Sequence, residues 1–414
     1  MTQRLYDSTT LQLYDPFYPI LEFSMRVCMV GYTNFINDAR LHRYSQSLLE
    51  QGHQVDMVGV GESVGNEPVI QYGVRVFQIH SRDFAESGPV SYLKNMLVFF
   101  LRSFVTITSL HKSRKYHVIH FHNIPDFGIF CTLFAKLSGA KIILDIHDLV
   151  PEFYMRKFQV SENHLSIRFL KILERLSCRY ADHVITVTEI WRQRLIGRSV
   201  TSRKCSVIMN LPMESIFSKQ AFTEYRKNDP FCISYHGNLA EHTGVDLLIR
   251  AVARIHTQIP QLTLQIIGGG RDESEYMHLA ESLGIISAVN FKKALPVMEL
   301  ADAVKHAHVA VDPKRDGIYA GETLSVKAME YLALGIPLIV ARTKAAVTYF
   351  PENAVQFFRP DDSDSLAEAI LDLYRNPDRR HQLHLQADAF NQRYSWQKAK
   401  QTYWSLLSDL CGCT

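Results

Sequence analysis

Residues 205–238 read "CSVIMNLPMESIFSKQAFTEYRKNDPFCISYHGN", and the fold turns on how that stretch is divided. "CSVIMN" (205–210) is a short apolar run of strand type. "NLPMESIFSKQAFTEYRKNDP" (210–230) is polar, carries two prolines and reads as a linker. "FCISYHGN" (231–238) is strand-like again, so the pattern stops and restarts here.

Working outward, the same rhythm fills both sides. Upstream lie "RVCMVGY" (26–32), "QVDMVGVG" (54–61), "RVFQIH" (75–80), "HVIHFHN" (117–123), "KIILDIHD" (141–148) and "HVITVT" (183–188). Downstream lie "LTLQIIGGG" (262–270), "VNFKK" (289–293), "HVAVDP" (308–313), "PLIVAR" (337–342) and "AVQFF" (354–358). Several are apolar on both faces, as strands covered by helices on two sides must be. Helix-length segments fill the gaps; "DLLIRAVARI" puts Leu247, Leu248, Ala251, Val252 and Ile255 on one stripe.

This alternation predicts an α/β protein of two Rossmann-like domains facing across a cleft, each a parallel, doubly wound sheet. The expected boundaries are an extension over 1–24, domains over 25–213 and 214–395, and a final helix within 396–414. That helix follows no strand and is expected to return to the first domain. Ligands of open α/β sheets gather beyond the carboxyl ends of the strands, so two such edges would frame a closable site.

Composition excludes several classes. Of 414 residues, 47% are hydrophobic and 21% charged, which is ordinary for globular chains. A formal charge of +3 is too small for a nucleic-acid binder. The seven cysteines are scattered through apolar segments and read as thiols of a reducing compartment; the "CGCT" tail reads as a frayed end. The first 24 residues lack the layout of a signal peptide. No apolar run reaches eighteen residues. "NMLVFFLRSFVTITSLHKSRK" (95–115) is broken by Arg102 and reads as a core-facing helix, with a surface-lying membrane helix as the alternative.

The chemistry concentrates in "GETLSVKAMEYLALGIP" (321–337). Glu322 precedes a helix expected to start near Thr323, whose first-turn N–H groups make an anion site. Lys327 could neutralise a diphosphate there, and Glu330, on the same face, suits a ribose diol. The plainer alternative makes Glu322 a charge complementing the helix dipole and Glu330 a solvated surface residue.

The Glu-x7-Glu spacing, with "EYLALGIPLIV" opening on the second Glu, resembles the donor-site signature of retaining GT-B fold glycosyltransferases of family 4 (group 1). The resemblance runs from Arg26 to about Leu410 and includes "HGNLAEHTGVDLLIRA", "SQSLLEQGHQVDMV" and "ILDIHDLVPE". It implies transfer of a sugar from a nucleotide diphosphate donor to a hydroxyl acceptor. Glu330 would hold the ribose and Glu322 the donor sugar near the departing diphosphate. Main-chain N–H groups at Leu324 and Ser325 would hold phosphate, beside the Gly237–Asn238 loop. "FKKALP" (291–296), which contains Leu295, falls where the family cradles the base. His147 would sit beside the transferred sugar. Gly31 and Tyr32 would close the acceptor side, where the family often has two glycines and this chain has one.

Family members commonly carry an Arg and a Lys that grip the diphosphate; the matching positions here are Asn238 and Thr243. Lys327 and the helix dipole would substitute.

Three further patterns have bland readings. His120 and His122 share a strand face and line the acceptor side or pair with backbone; a metal site formed with His147 and Asp148 is the weaker alternative. "GGGRDE" (268–273) lacks phosphate-loop spacing, and its glycines permit a tight turn. In "RPDDSDSLAEAI", Asp362-x-Asp364 precedes a capping box of Ser365 and Glu368, so capping outweighs metal binding.

The resulting expectation is a metal-independent hexosyltransferase of envelope polysaccharide or glycolipid synthesis, cytoplasmic, with peripheral contact at the inner membrane face as an option. Its partners would be a nucleotide-sugar, a saccharide or lipid-linked acceptor, and no nucleic acid. A nucleotide-sugar epimerase of the same fold, or a non-catalytic sugar-nucleotide-binding subunit, are the alternatives.

Overall fold

The computed structural model describes residues 24–412, apart from positions 63, 66, 82–88, 223 and 226–228. The extension expected over 1–24, Ser24 excepted, and Cys413 therefore lie outside the described residues.

The first lobe is built on β1 (Arg26–Asn34), β2 (Gln54–Val60), β3 (Val69–Gln71), β4 (Val74–His80), β5 (Val118–His122), β6 (Lys141–Ile146), β7 (His183–Thr186) and β8 (Cys205–Val207). Their order in the sheet is β3-β4-β2-β1-β5-β6-β7-β8. All neighbours run parallel except β3 and β4. The second lobe holds β9 (Phe231–His236), β10 (Leu262–Ile267), β11 (Val289–Lys292), β12 (Val309–Asp312), β13 (Leu338–Ala341) and β14 (Gln356–Phe358). These form one parallel sheet in the order β11-β10-β9-β12-β13-β14.

Every expected strand is present. β3 was not expected: it is a three-residue edge strand with exposed Val69 and Ile70, joined to β4 through Tyr72 and Gly73, both at positive φ. A two-residue turn of that hand matches the twist of a hairpin, yet Tyr-Gly is a weak turn signal in a sequence.

Each sheet is buried on both faces. The central strands β1, β5, β6, β9 and β12 carry Val27, Val30, Ile119, Leu144, Ile233 and Val309, all fully buried. The stripe read in "DLLIRAVARI" packs as expected, with Leu248, Ala251 and Val252 fully buried against β9 and β10 neighbours.

The chain changes lobes just ahead of the linker. Ile208 packs with the first lobe, whereas Met209, Leu211 and Phe217 belong to the core around Leu332 and Ile336 in the second. The last helix, Trp396–Cys411, then returns: Trp396, Tyr403, Leu406 and Leu407 pack with Val27, Leu41 and Val55 of the first lobe.

Candidate functional site

The second lobe's contribution starts at β9. "YHGN" brings the chain to the strand's carboxyl end, where Gly237 adopts φ +123°, a conformation open to glycine. A Cβ at Gly237 would sit 3.2 Å from Cε of Lys327, so the glycine also makes room for that side chain. The neighbouring glycine loop follows the same logic. A Cβ on Gly268 would lie 1.9 Å from the Gly237 carbonyl oxygen, and one on Gly270 2.2 Å from that of Leu239. The glycines of "GGGRDE" thus let two strand-end loops touch.

The helix expected from Thr323 spans Val326–Leu334 instead. Ser325 is its N-cap, its Oγ accepting from the Ala328 N–H at 3.4 Å. Thr323 closes a turn onto the Tyr319 carbonyl. Leu324 and Ser325 are buried at the helix mouth, where first-turn N–H groups have no intrahelical acceptor.

Lys327, half-buried, and Glu330, buried, lie on the same face. The Lys327 Nζ donates to the Tyr235 hydroxyl at 3.0 Å, lies over the Tyr235 ring, and sits 3.5 Å from Asp312. Burial disfavours its charge, but Tyr235 and Asp312 more than compensate and raise its pKa. Glu330 is 8% exposed, so it is not the solvated surface residue of the plainer reading. Burial pushes its carboxyl up to about 7, against the opposing pull of Arg43 and Lys327. Its Oε2 is 3.4 Å from Nε2 of His236, an imidazole that burial and Lys327 hold neutral, near 3.

Glu322, 7% exposed, precedes this helix and does something the sequence did not disclose: it spans the lobes. One oxygen receives Nζ of Lys344 at 2.9 Å, the other the Arg194 guanidinium of the first lobe. Arg194 also reaches Glu152, which Arg198 holds together with the buried Glu174. Close by, the Tyr319 hydroxyl donates to Asp148 across the lobes at 2.6 Å. A cavity of about 980 Å³ opens between them, lined by Phe153 and Arg156 on one side and Asn238, His242, Arg271 and Tyr319 on the other.

Of the two positions where a cation was expected by resemblance, Asn238 is exposed at this cavity. Thr243 is buried and its Oγ1 donates to the Ala240 carbonyl at 2.6 Å, within its own turn. Positive charge comes from elsewhere. Lys314, in the loop after β12, donates to the Thr323 carbonyl at 2.8 Å. Burial, assisted by Lys327, lowers it to about 8. Leu295 lies half-buried between β11 and the next helix, Val297–Val304, against the second-lobe core.

The first lobe presents a compact polar cluster at the ends of β1, β5 and β6. His120 and His122 do share a face, their rings 4.0 Å apart. Both are fully buried, which corrects the expectation of an acceptor-lining surface. Nδ1 of His122 meets Asp145 at 2.9 Å, and Nδ1 of His120 meets the Tyr403 hydroxyl of the returning helix at 3.0 Å. The acid of this group is Asp145, not Asp148, and one ligand atom from each of His120, His122 and Asp145 lies within 4.8 Å of the others. Arg40 stands 3.7 Å from Asp145, so a cation already balances that carboxylate. Burial works to raise Asp38; Arg40 and the nearby histidines win and hold it at about 2.

His147 follows β6. Its backbone N–H donates to Asn123 Oδ1, and its ring lies 3.9 Å from Asp148. Burial, reinforced by Arg40, keeps it neutral. Gly31 falls opposite His122 in the sheet register, with β1 running on to Asn34 beyond it. Tyr32 is a correction: its ring is buried in the core against Phe99 and beside His80, so it packs the lobe. In the second lobe, the cap of helix Ser363–Arg375 is Asp362, which accepts from Asp364 and Ser365; Ser365 was expected in that role and instead binds the Arg359 N–H.

Arg43 was not legible beforehand. It is buried, with Trp396 of the last helix 5.8 Å from its guanidinium and Asn210 at 3.4 Å, and its field reaches Glu330 from the first lobe. Burial, aided by Arg40, lowers it to about 10.

Family models agree with this layout. Residues 38–210 match a glycosyl transferase 4-like domain and residues 217–389 match glycosyl transferases group 1. The chain belongs to the group 1 glycosyl transferases. Among curated relatives, D-inositol 3-phosphate glycosyltransferase of Stackebrandtia nassauensis is 28% identical over 41% of this chain and 39% of its own length. One subunit of human phosphatidylinositol N-acetylglucosaminyltransferase is 22% identical over 84% of this chain and 69% of its own. The chain thus spans about two fifths of the length of the first relatives it matches.

Solved structures share the GT-B fold. Sucrose-phosphate synthase from Thermosynechococcus elongatus superposes with a TM-score of 0.74 at 19% identity, over 94% of this chain and 100% of that one. Anabaena HepE in complex with UDP and glucose gives 0.69 at 14% identity, over 93% and 100%.

Proposed function

We propose that this group 1 chain transfers a sugar from a nucleoside diphosphate-sugar to a hydroxyl acceptor with retention of configuration. The observation that carries the reading is the half-buried Lys327 and buried Glu330 on the first turns of helix Val326–Leu334, at the carboxyl edge of the second sheet. An ammonium and free N–H groups suit a diphosphate, and a carboxylate three residues on suits a ribose diol. Lys314 supplies a second ammonium in place of the cations that Asn238 and Thr243 do not provide.

In the proposed step the acceptor oxygen bonds to the anomeric carbon as the carbon–oxygen bond to the diphosphate breaks. The departing phosphate takes the acceptor proton. Lys327, Lys314 and the helix mouth stabilise the charge that develops on it. Glu322 and the neutral His147 position the transferred sugar, while Gly31 and the first-lobe edge face the acceptor. No metal has a place in this scheme. Closure of the lobes excludes water.

Among relatives, one is named for GDP-mannose-dependent transfer to a phosphatidylinositol mannoside, which supports a lipid-linked acceptor; with it we propose a role in envelope glycolipid or polysaccharide synthesis at the cytoplasmic face of a membrane.

Incubation with UDP- and GDP-hexoses, with and without phosphatidylinositol or lipid-linked saccharides, tests the proposal. Acceptor-dependent nucleotide release with an α-configured product is expected, and Glu322→Ala is expected to lower kcat more than it raises KM. Epimerised donor formed without acceptor would point to the isomerase reading. Tight nucleotide binding without turnover would point to the non-catalytic subunit.

A further inference from the structure

One face of the first lobe carries apolar surface that none of the described residues covers. Helix Pro89–Arg114 buries Met96, Phe99, Ser103 and Ile107 against the sheet, so it lies along the lobe. Its opposite side exposes Leu93, Leu97, Leu101 and Val105, the last two at 62% and 67%. Helix Leu165–Tyr180 does the same with Leu165, Phe169, Ile172 and Leu176, spaced at helical period and 46–76% exposed.

The two helices flank one segment of the lobe. Segment 126–137 runs between the helices and packs on both: Phe127 meets Phe100, Phe130 meets Tyr180, and Thr132 bonds the Tyr180 hydroxyl at 2.9 Å. That segment adds Leu133 and Leu137, the latter 80% exposed.

Charge identifies what the face fits. Helix Pro89–Arg114 contains no Asp or Glu, and carries Lys94, Arg102, Lys112 and Arg114. Helix Leu165–Tyr180 has Arg168, Arg175 and Arg179 exposed along one side of its stripe. Its one acid, Glu174, is fully buried and bound by Arg198. A chain of formal charge +3 therefore presents here an apolar field rimmed by cations, with no exposed carboxylate on either helix.

We infer that this three-element face seats on an anionic lipid bilayer, its leucines and Phe169 entering the acyl boundary and its arginines meeting phosphate headgroups. The surface is separate from the donor site, so the two readings stand or fall independently.

Flotation of the full chain with vesicles tests it, using equal parts phosphatidylglycerol and phosphatidylcholine against phosphatidylcholine alone. Binding to the anionic vesicles is expected to be at least about tenfold tighter and to weaken as salt rises. Leu101→Glu with Phe169→Glu, and separately Arg168→Glu with Arg179→Glu, should each lower it at least about tenfold, leaving nucleotide binding intact. Both arginines are exposed, and that pair decides the matter if the apolar variants misfold. No flotation with the anionic vesicles, equal binding to both, or unchanged binding in the arginine variant would overturn the inference. So would light scattering that shows a dimer broken by Phe169→Glu, which would assign the face to a second copy of the chain.

Discussion

Glu330 is the residue whose state matters most to the donor site. Its carboxyl ionises near 7 in the fold, because burial outweighs the favourable fields of Arg43 and Lys327. An unfolded glutamate ionises at about 4.3. Between those values the native state holds a proton that the unfolded chain has released, so the contribution of Glu330 to stability falls as pH rises through that interval. Binding runs the other way, since a diol grip needs the carboxylate. Nucleotide affinity should therefore strengthen as pH rises through about 7, and Glu330→Gln should flatten that dependence and weaken binding at high pH by about 1.5–3 kcal/mol, the range of a charged hydrogen bond. Calorimetric titrations across that range check both. The sequence disclosed the Lys327–Glu330 spacing because three residues on a helix share a face. It hid Arg43, whose burial depends on Trp396 some 350 positions away, and Lys314, an ordinary loop lysine until the fold wraps it.

At the scale of elements, the glycine contacts at the donor edge are the most exacting feature. Gly268→Ala would thrust a methyl into the Gly237 carbonyl, and backbone cannot yield as a flexible side chain can. The loop beside Lys327 must shift, so this substitution should lower the melting temperature and weaken nucleotide binding together. Gly269→Ala, whose Cβ meets only a carboxylate oxygen at 3.7 Å, should do neither. Strands were read from sequence with little loss, since parallel strands buried on both faces are apolar runs. Helix starts were read less well. Thr323 and Ser325 are equally good caps on paper, as are Asp362 and Ser365; tertiary packing chose between them.

For the whole molecule, the last helix and the Glu322 network hold the lobes in their present relation. Leu407 is fully buried against the first-lobe core, so Leu407→Ala should destabilise by about 2–5 kcal/mol, read from denaturant unfolding. Arg194 links Glu152 of its own lobe to Glu322 of the other. Arg194→Ala should loosen closure and raise KM for the donor with little change in the melting temperature, because ion pairs of partly exposed arginine contribute modestly to stability. That the last helix would return to the first lobe could be anticipated, because it follows no strand. That its Tyr403 and Trp396 would reach the His120 cluster and Arg43 could not.

The most direct test of the account is calorimetric titration of UDP and GDP into the wild-type chain, Lys327→Ala and Glu330→Ala. The account predicts saturable binding of one nucleotide by the wild type and at least about a tenfold loss in each variant, the equivalent of about 1.4 kcal/mol. Wild-type affinity retained in both variants would contradict it, because the start of helix Val326–Leu334 would then not be where the nucleotide sits.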